Sequence, residues 1–483
     1  MSKEITMENQ WEPVIGLEVH IQLNSKTKMF SSCNWSYGES PNTLVCPTTL
    51  GYPGSLPTIN MEAVKLGIAL GLGLKCKINK STGFSRKHYY YPDLPKGYQI
   101  TQFNMPLCES GYVYIDDDQI NEIGITRAHL EEDAGKTIHS LEGHALIDFN
   151  RAGAPLIEVV SEPDIRNSSQ ALMYLSNLKQ IIQYTGASDC DMEKGNLRVD
   201  LNISMRPFGQ KEFGVRREVK NLNSFRSVEK AIEFEINYQS AILDSGGFIT
   251  QETLLWDEIN MSTHSIRSKE DAHDYRFFPE PDLPDLSLSD EMIEQIKSEM
   301  PEMPYDVKNR IMEKYKLSSL ESDLLVSEYD IVVFFENICE LGSNPMKVYN
   351  WISGEVLRVM KEKKCSLDQI SLNNKEFSIL INMVENDEIT LTNAKKVFSI
   401  MIESDDSVKE IVSKHDLGLS SNTESINDFI KEVFSQNPEE EKRFLKGELK
   451  LKNFFIGHVM RATKGKFNAA DISKALEQII DKN

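Results

Sequence analysis

The chain has 483 residues, a formal net charge of −21, 40% hydrophobic and 26% charged residues. These proportions exclude a disordered chain, a collagen and a coiled-coil rod, and the length suits about three domains. So acidic a chain is no general nucleic-acid coat, although a local basic patch is compatible with it. Mean hydropathy is −0.38, and no apolar run approaches the ~20 residues that span a bilayer. The opening residues, MSKEITMENQW, carry neither the apolar stretch of a secretion signal nor an Arg-rich transit pattern. A cytoplasmic protein without membrane segments is expected. Its seven cysteines are scattered, with no CxxC pair, so idle thiols are expected rather than a disulfide scaffold.

Up to about residue 290, short β-rich runs alternate with turn residues. Val14–Leu23, Gly111–Ile115, Ile123–His129, Ala145–Phe149 and Leu197–Met205 read as strands. Helices interrupt them. Met61–Leu72 follows Asn60, a favourable N-cap. Ser168–Tyr184 aligns Leu172, Leu175, Leu178, Ile181 and Ile182 on one face, and Ser227–Leu243 is a third helix. With no strict βαβ rhythm, this predicts an α+β fold on a largely antiparallel sheet. Prolines 279, 281, 284, 301 and 304 then mark a linker. Beyond it Met346–Met360, Glu376–Val384 and Ala394–Ile402 have helical period. The expected domains are 1–292, a helical 293–405, and a helical tail 406–483 that gathers Lys446, Lys450, Lys452, Arg461, Lys464 and Lys466.

Five clusters bear on chemistry. In Gly16-Leu17-Glu18-Val19-His20 a strand would put Glu18 and His20 on one face, able to share a divalent cation or to be mere surface neighbours. Glu131-Glu132-Asp133, in the run from Thr126 to Lys136, is a costly string of acids unless a cation or water receives it. In the run Asp148 to Asp164, Gly153 and Pro155 suggest a sharp turn that would bring Arg151 near Glu158, as a structural ion pair or as site residues. Arg86 to Gln99 interleaves basic and aromatic residues, a pattern for phosphates and bases or for plain packing. In Glu218-Val219-Lys220-Asn221-Leu222-Asn223-Ser224-Phe225 polar side chains alternate along an extended run, with a helix start at Ser224 as the simpler reading. There is no P-loop, no dinucleotide fingerprint and no GxSxG elbow. An ATP site would therefore be of a metal-and-carboxylate type on a sheet.

The strings VIGLEVH, YYYPDLPKGYQITQFNMPL, ITRAHLEEDAGK, DFNRAGAPLIEVVSEPD and EVKNLNSF follow one another in order. With them the chain resembles, from about Trp11 to its end, the B subunits of the aspartyl/glutamyl-tRNA amidotransferases. The most specific string is DxNRxGxPLIE, Asp148 to Glu158. The resemblance implies a glutamine-synthetase-like cradle, a helical domain and a small tail that contacts tRNA. It implies transamidation of Glu-tRNA(Gln), Asp-tRNA(Asn) or both. ATP phosphorylates the side-chain carboxylate and ammonia displaces the phosphate. Ammonia would come from an amidase (glutaminase) partner, the A subunit, with a small C subunit completing a heterotrimer; no Ser-Ser-Lys amidase signature is visible in this chain.

Carried over by position, Glu18, His20 and Glu132 match magnesium-binding positions, with Glu158 completing that shell or a second one. Glu132, Lys87, Arg151, His129 and Glu131 form the implied catalytic set, with Lys87 and Arg151 on ATP. The six basic tail residues are the implied tRNA contacts. Many relatives carry a zinc-binding FCxC…CPxC pattern. Here the stretches read Phe30-Ser31-Ser32-Cys33 and Cys46-Pro47-Thr48-Thr49, so no zinc is expected. A tRNA-binding scaffold without catalysis and a free-standing carboxylate–amine ligase are the other readings. The acid–imidazole cluster speaks against the first and the basic tail against the second.

Overall fold

Along Trp11–Gln22 (β1) the side chains alternate. Ile15, Leu17, Val19 and Ile21 are buried on one side, while Gly16, Glu18 and His20 belong to the other. That alternation organises the first part of the protein. The computed structural model describes residues 10–139, 143–268, 274–404, 406–419, 423–463, 467 and 469–480. Cα packing divides the chain into Met1–Val307 and Lys308–Asn483.

In the first unit β1 is followed by β2 (Lys77–Ile78), β3 (Ser85–His88), β4 (Tyr98–Thr101), β5 (Cys108–Tyr114), β6 (Glu122–Glu132) and β7 (Pro155–Ser161). Next come β8 (Leu197–Pro207), β9 (Arg217–Leu222), β10 (Glu252–Asp257), β11 (Ser262–Ser268) and β12 (Phe278–Pro279). They form one sheet in the order β11–β10–β9–β8–β1–β7–β6–β4–β3–β12, with β5 also on β6 and β2 on β5. Only β9–β10 is parallel among the described pairs of this sheet. The fold is α+β, as its sequence pattern predicts. Ala145–Asp148, expected as a strand, pairs with Lys136–His139 in a separate hairpin.

The register decides which side chains meet. His20 faces Glu158 on β7 and Arg198 on β8, Glu18 faces Asp200, and Glu158 faces His129 on β6. Residues opposite one another share a face. One face of the sheet is therefore polar, and the other carries Val19, Ile157, Leu130, Val199 and Leu201, all buried.

Three helices accompany the sheet: α1 (Met61–Gly73), α2 (Ser168–Tyr184) and α3 (Phe225–Asp244). Their N-caps Asn60, Asn167 and Ser224 accept from first-turn amides. Gly67 sets α1 against the apolar face: a Cβ there would stand 2.7 Å from Leu107 and 3.2 Å from Leu130. α4 (Asp290–Glu299) follows, and α5 (Pro304–Tyr315) spans the division between the units.

The second unit is helical: α6 (Ser319–Leu325), α7 (Tyr329–Glu340), α8 (Pro345–Trp351), α9 (Leu357–Lys363), α10 (Asn374–Glu385), α11 (Leu391–Met401) and α12 (Val408–Lys414). The helix expected over 346–360 is broken by a π turn, Ile352–Val356. The added residue keeps Ile352 and Val356 buried and also draws Glu355 inward, to Arg358 at 2.8 Å and Lys395 at 2.7 Å. Hydrophobic period alone does not carry that signal. Four more helices, α13 (Thr423–Gln436), α14 (Pro438–Leu445), α15 (Lys452–Ala462) and α16 (Ala469–Ile480), enclose a core of Ile430, Phe434, Phe444, Phe455 and Leu476.

Candidate active site

The polar face of the sheet gathers acids and imidazoles from neighbouring strands. His20 Nε2 lies 3.3 Å from Glu158 Oε2 and 3.7 Å from Glu131 Oε1. His129 Nε2 lies 3.6 Å from Glu158 Oε2 and 4.0 Å from Glu131 Oε2. Thr101 Oγ1 donates to Glu131 Oε2 at 3.2 Å and orients that carboxylate. Burial opposes charge on His20, but the hydrogen bond to Glu158 and the charges of Glu158 and Glu131 outweigh it and raise its pKa to about 9. His129 goes the other way: burial lowers it to about 4. Burial also works against the Glu158 carboxylate, yet His129, His20 and Lys87 hold it below the usual carboxylate range. Burial and the Glu158 charge raise Glu131.

One step along the sheet, Glu18, Asp200 and Glu218 form a second group. In each group the donor atoms of His20, Glu131 and Glu158, or of these three acids, lie within 4.8 Å of one another. Lys220 Nζ bridges Asp200 at 2.5 Å and Glu218 at 2.7 Å, and Asn202 Nδ2 donates to Glu18 Oε1 at 2.9 Å. Burial, the Glu158 charge and the Asp200 charge raise Glu18 above its ordinary value. Burial opposes the Lys220 ammonium, but its two carboxylates hold it well above the usual range. A sheet-bound set of three carboxylates suits a hard cation such as Mg²⁺, and the first group adds an imidazole donor.

Two expectations are corrected by this geometry. Glu132 does not join Glu18 and His20; Glu131 stands with His20 instead. Adjacent residues of a strand project to opposite faces. The Glu132 carboxylate pairs with Lys96 and accepts from the Ile100 amide at 3.0 Å. Nor does Arg151 meet Glu158. It donates to the carbonyls of Ala134 at 3.0 Å and Gly135 at 2.6 Å and lies 3.5 Å from Asp133. Arg198 shares Asp133 at 2.9 Å. Both arginines line a cleft of about 590 Å³ together with Lys136, Asp200, Asn221 and Asn223. Lys87 is directed to the first group, where its charge acts on Glu131, Glu158 and His129, with Nζ 4.9 Å from the Tyr275 ring.

Asp200, Glu218, Lys220 and Arg198 are the site residues not singled out as such from the sequence. The signal for Glu218 and Lys220 is the polar alternation of EVKNLNSF; Arg198, Asp200 and Asn202 alternate in the same way along β8.

At the positions of the four-cysteine pattern, Cys46 Sγ lies 3.2 Å from Thr49 Oγ1, and the Cys33 amide donates to Ser31 Oγ at 3.4 Å. In the tail, Lys446, Lys450 and Arg461 are exposed, whereas Lys452 is paired with Glu477. Lys464 and Lys466 lie outside the described residues.

Comparison with known proteins adds a family. The family described as GatB/GatE catalytic domain matches residues 13–294, and that described as GatB domain matches residues 333–480. A relative from Thermodesulfovibrio yellowstonii, named as the B subunit of an aspartyl/glutamyl-tRNA(Asn/Gln) amidotransferase, is 45% identical over 98% of this chain and 99% of its own length. Proteins of the same name from Coxiella burnetii (43%, covering 97% of this chain and 99% of their own) and Persephonella marina (43%, covering 98% and 100%) are similar.

Proposed function

From the premise that the chain belongs to the family of aspartyl/glutamyl-tRNA(Asn/Gln) amidotransferase B subunits, we propose how its polar sheet face serves the reaction. The protein is the B component of a tRNA-dependent amidotransferase, a carbon–nitrogen ligase. Its substrates are Glu-tRNA(Gln), Asp-tRNA(Asn) or both, and ATP is the phosphoryl donor. A carboxylate is a poor electrophile, and phosphorylation gives it a leaving group. Transfer between two anions needs positive charge and alignment.

The arrangement that carries this reading is the pair of donor clusters beside an arginine-lined cleft. Glu18, Asp200 and Glu218 would hold one Mg²⁺, and His20, Glu131 and Glu158 a second. When bound, Mg²⁺ supplies Lewis-acid neutralisation of phosphate oxygens. Arg198 and Arg151, anchored by Asp133, face the cleft with their charge directed at anionic substrate. Lys87 adds charge at the first cluster. His129, held neutral by burial, stands beside the Glu158 and Glu131 carboxylates without adding a competing positive charge. Ammonia is supplied by the glutaminase partner, the A subunit, and a small C subunit completes the heterotrimer. The exposed basic residues of the tail, Lys446, Lys450 and Arg461, contact the tRNA backbone, in the cytoplasm where charged tRNA is used. Among the described residues no helix is long and apolar enough to cross a membrane.

The test is amide formation on Glu-tRNA(Gln) with ATP and Mg²⁺. The purified chain should use ammonium salts but not glutamine, and should use glutamine once assembled with its amidase partner. Glutamine-dependent product from the chain alone, or ATP-independent product, would overturn the reading.

A further inference from the structure

Register places Lys87 on the polar face of the sheet. Lys87 on β3 stands opposite Gln99 on β4, and Thr101, two residues further along β4, stands opposite Glu131 on β6. Opposite residues and residues two apart share a face. Lys87 therefore belongs to the face of Glu131, whose carboxylate accepts from Thr101 Oγ1 at 3.2 Å. Yet Lys87 forms no salt bridge among the described residues. Its Nζ sits instead over the ring of Tyr275, 4.9 Å from the centroid. That is within the ~6 Å reach of a cation–π contact.

Tyr275 is fixed through its backbone and through its ring. The stretch 275–280 runs along β3: the His88 amide donates to Tyr275 O at 2.9 Å, Phe278 pairs with Arg86, and the Glu280 amide donates to Phe84 O at 2.9 Å. Arg86 holds the buried Glu280 carboxylate with two hydrogen bonds, at 2.7 and 2.8 Å. The Tyr275 ring rests edge-on against Tyr89 at 6.2 Å and Phe277 at 6.0 Å, and Phe277 is stacked on Phe103 at 4.0 Å. A ring so held gives the ammonium a fixed place. The lysine stem is a flexible four-carbon chain. Without the ring its charge would settle on a carboxylate of the same face, and an anionic ligand would have to displace that carboxylate to reach it.

We propose that Tyr275 is a positioning residue, which keeps the Lys87 ammonium off the carboxylates of the first cluster and presents it to the phosphate oxygens of ATP. The inference rests on the reading above that Lys87 adds charge where ATP reacts, and it names the residue that sets the place of that charge. Tyr275 touches no reacting atom in this role. It acts through Lys87, by the negative face of its ring. The hydroxyl has no part in the contact, so phenylalanine serves as well.

The experiment measures binding of ATP with Mg²⁺ to the full chain by calorimetry, with urea unfolding run on every variant. Lys87→Met should weaken ATP about tenfold or more, as loss of a charge-assisted phosphate contact does. Tyr275→Phe should bind as the parent chain does. A trifluorinated phenylalanine at position 275 keeps the size and shape of the ring while withdrawing the negative charge from its face. It should weaken ATP about fivefold relative to Tyr275→Phe, with the unfolding midpoint unchanged. In a Lys87→Met background the plain and fluorinated rings should bind ATP equally, because the charge they place is gone. Equal affinity of the two rings with Lys87 present would overturn the proposal and leave Lys87 on ATP. A loss from the fluorinated ring that persists in the Lys87→Met background would also overturn it, since that is the mark of a packing role. Unchanged affinity in Lys87→Met itself would overturn the reading of Lys87 as an ATP contact, and the positioning role with it.

Discussion

His20 on β1 stands directly opposite Glu158 on β7, with Nε2 3.3 Å from Oε2. This contact stores a proton where the proposed reading puts a cation. With its pKa raised to about 9, His20 is charged at neutral pH. A cation that takes the His20 nitrogen has to displace that proton. Divalent-cation binding at pH 7.5 should therefore release about one proton from this group. Affinity should climb with pH and level off near 9. Calorimetry in buffers of differing ionisation enthalpy reads the proton directly. The sign for stability is opposite. Without cation, the stabilisation from charged His20 is fully present below its unfolded pKa of about 6.5 and is lost as pH rises through about 9.

Glu158→Gln removes the carboxylate shared by His20 and His129. The His20 pKa should fall toward its ordinary value, visible in the imidazole NMR titration. ATP-dependent amidation should drop by about 100-fold or more. An unchanged rate would remove Glu158 from the site.

Glu132→Gln should act on stability instead. Glu132 and Lys96 are almost wholly buried against each other, at 5% and 10% side-chain exposure. Neutralising one partner leaves a buried ammonium unpaired, which costs about 3 kcal/mol. Urea denaturation should show that loss while Mg²⁺ affinity of the folded variant stays within about twofold. A large loss of affinity with unchanged stability would return Glu132 to the cation site.

Gly71→Ala sets two effects against each other. Alanine gains about 1 kcal/mol of helix propensity over glycine in α1. Its Cβ, however, would run into Cys108 Sγ and the Ile78 side chain. Overpacking of this kind costs about 1–3 kcal/mol, so the clash should win and the midpoint of unfolding should fall. A stabilised variant would mean that α1 can shift on the sheet.

In the tail, reversing the exposed charges Lys446, Lys450 and Arg461 to Glu should weaken Glu-tRNA(Gln) binding and flatten its salt dependence. Each lost phosphate contact reduces the log–log slope by about 0.7–0.9. The sum should be about 2 units, measured by filter binding at several salt concentrations. An unchanged slope would make these side chains solvent-facing only.

Periodicity in the sequence is enough to specify β1 and α2, because burial of alternate or every third-to-fourth residue is a local property, and the Asn60 cap marks the start of α1. The pairing of Glu18 with His20 on one face is local too, and both do lie on the polar face. The identity of the third partner is not local. Glu131 and Glu132 are chemically equal in the string LEED, and only the register of β6 against β7 turns Glu131 toward His20 and Glu132 toward Lys96. Asp200 and Glu218 reach Glu18 because β8, about 180 residues further along the chain, lies beside β1 and carries its neighbour β9 with it. Sequence by itself determined the residue types, the family and which residues within one strand share a face. Tertiary structure decided which acids converge, because carboxylate neighbours across a sheet are set by strand order and register, and these depend on the packing of the opposite, apolar face.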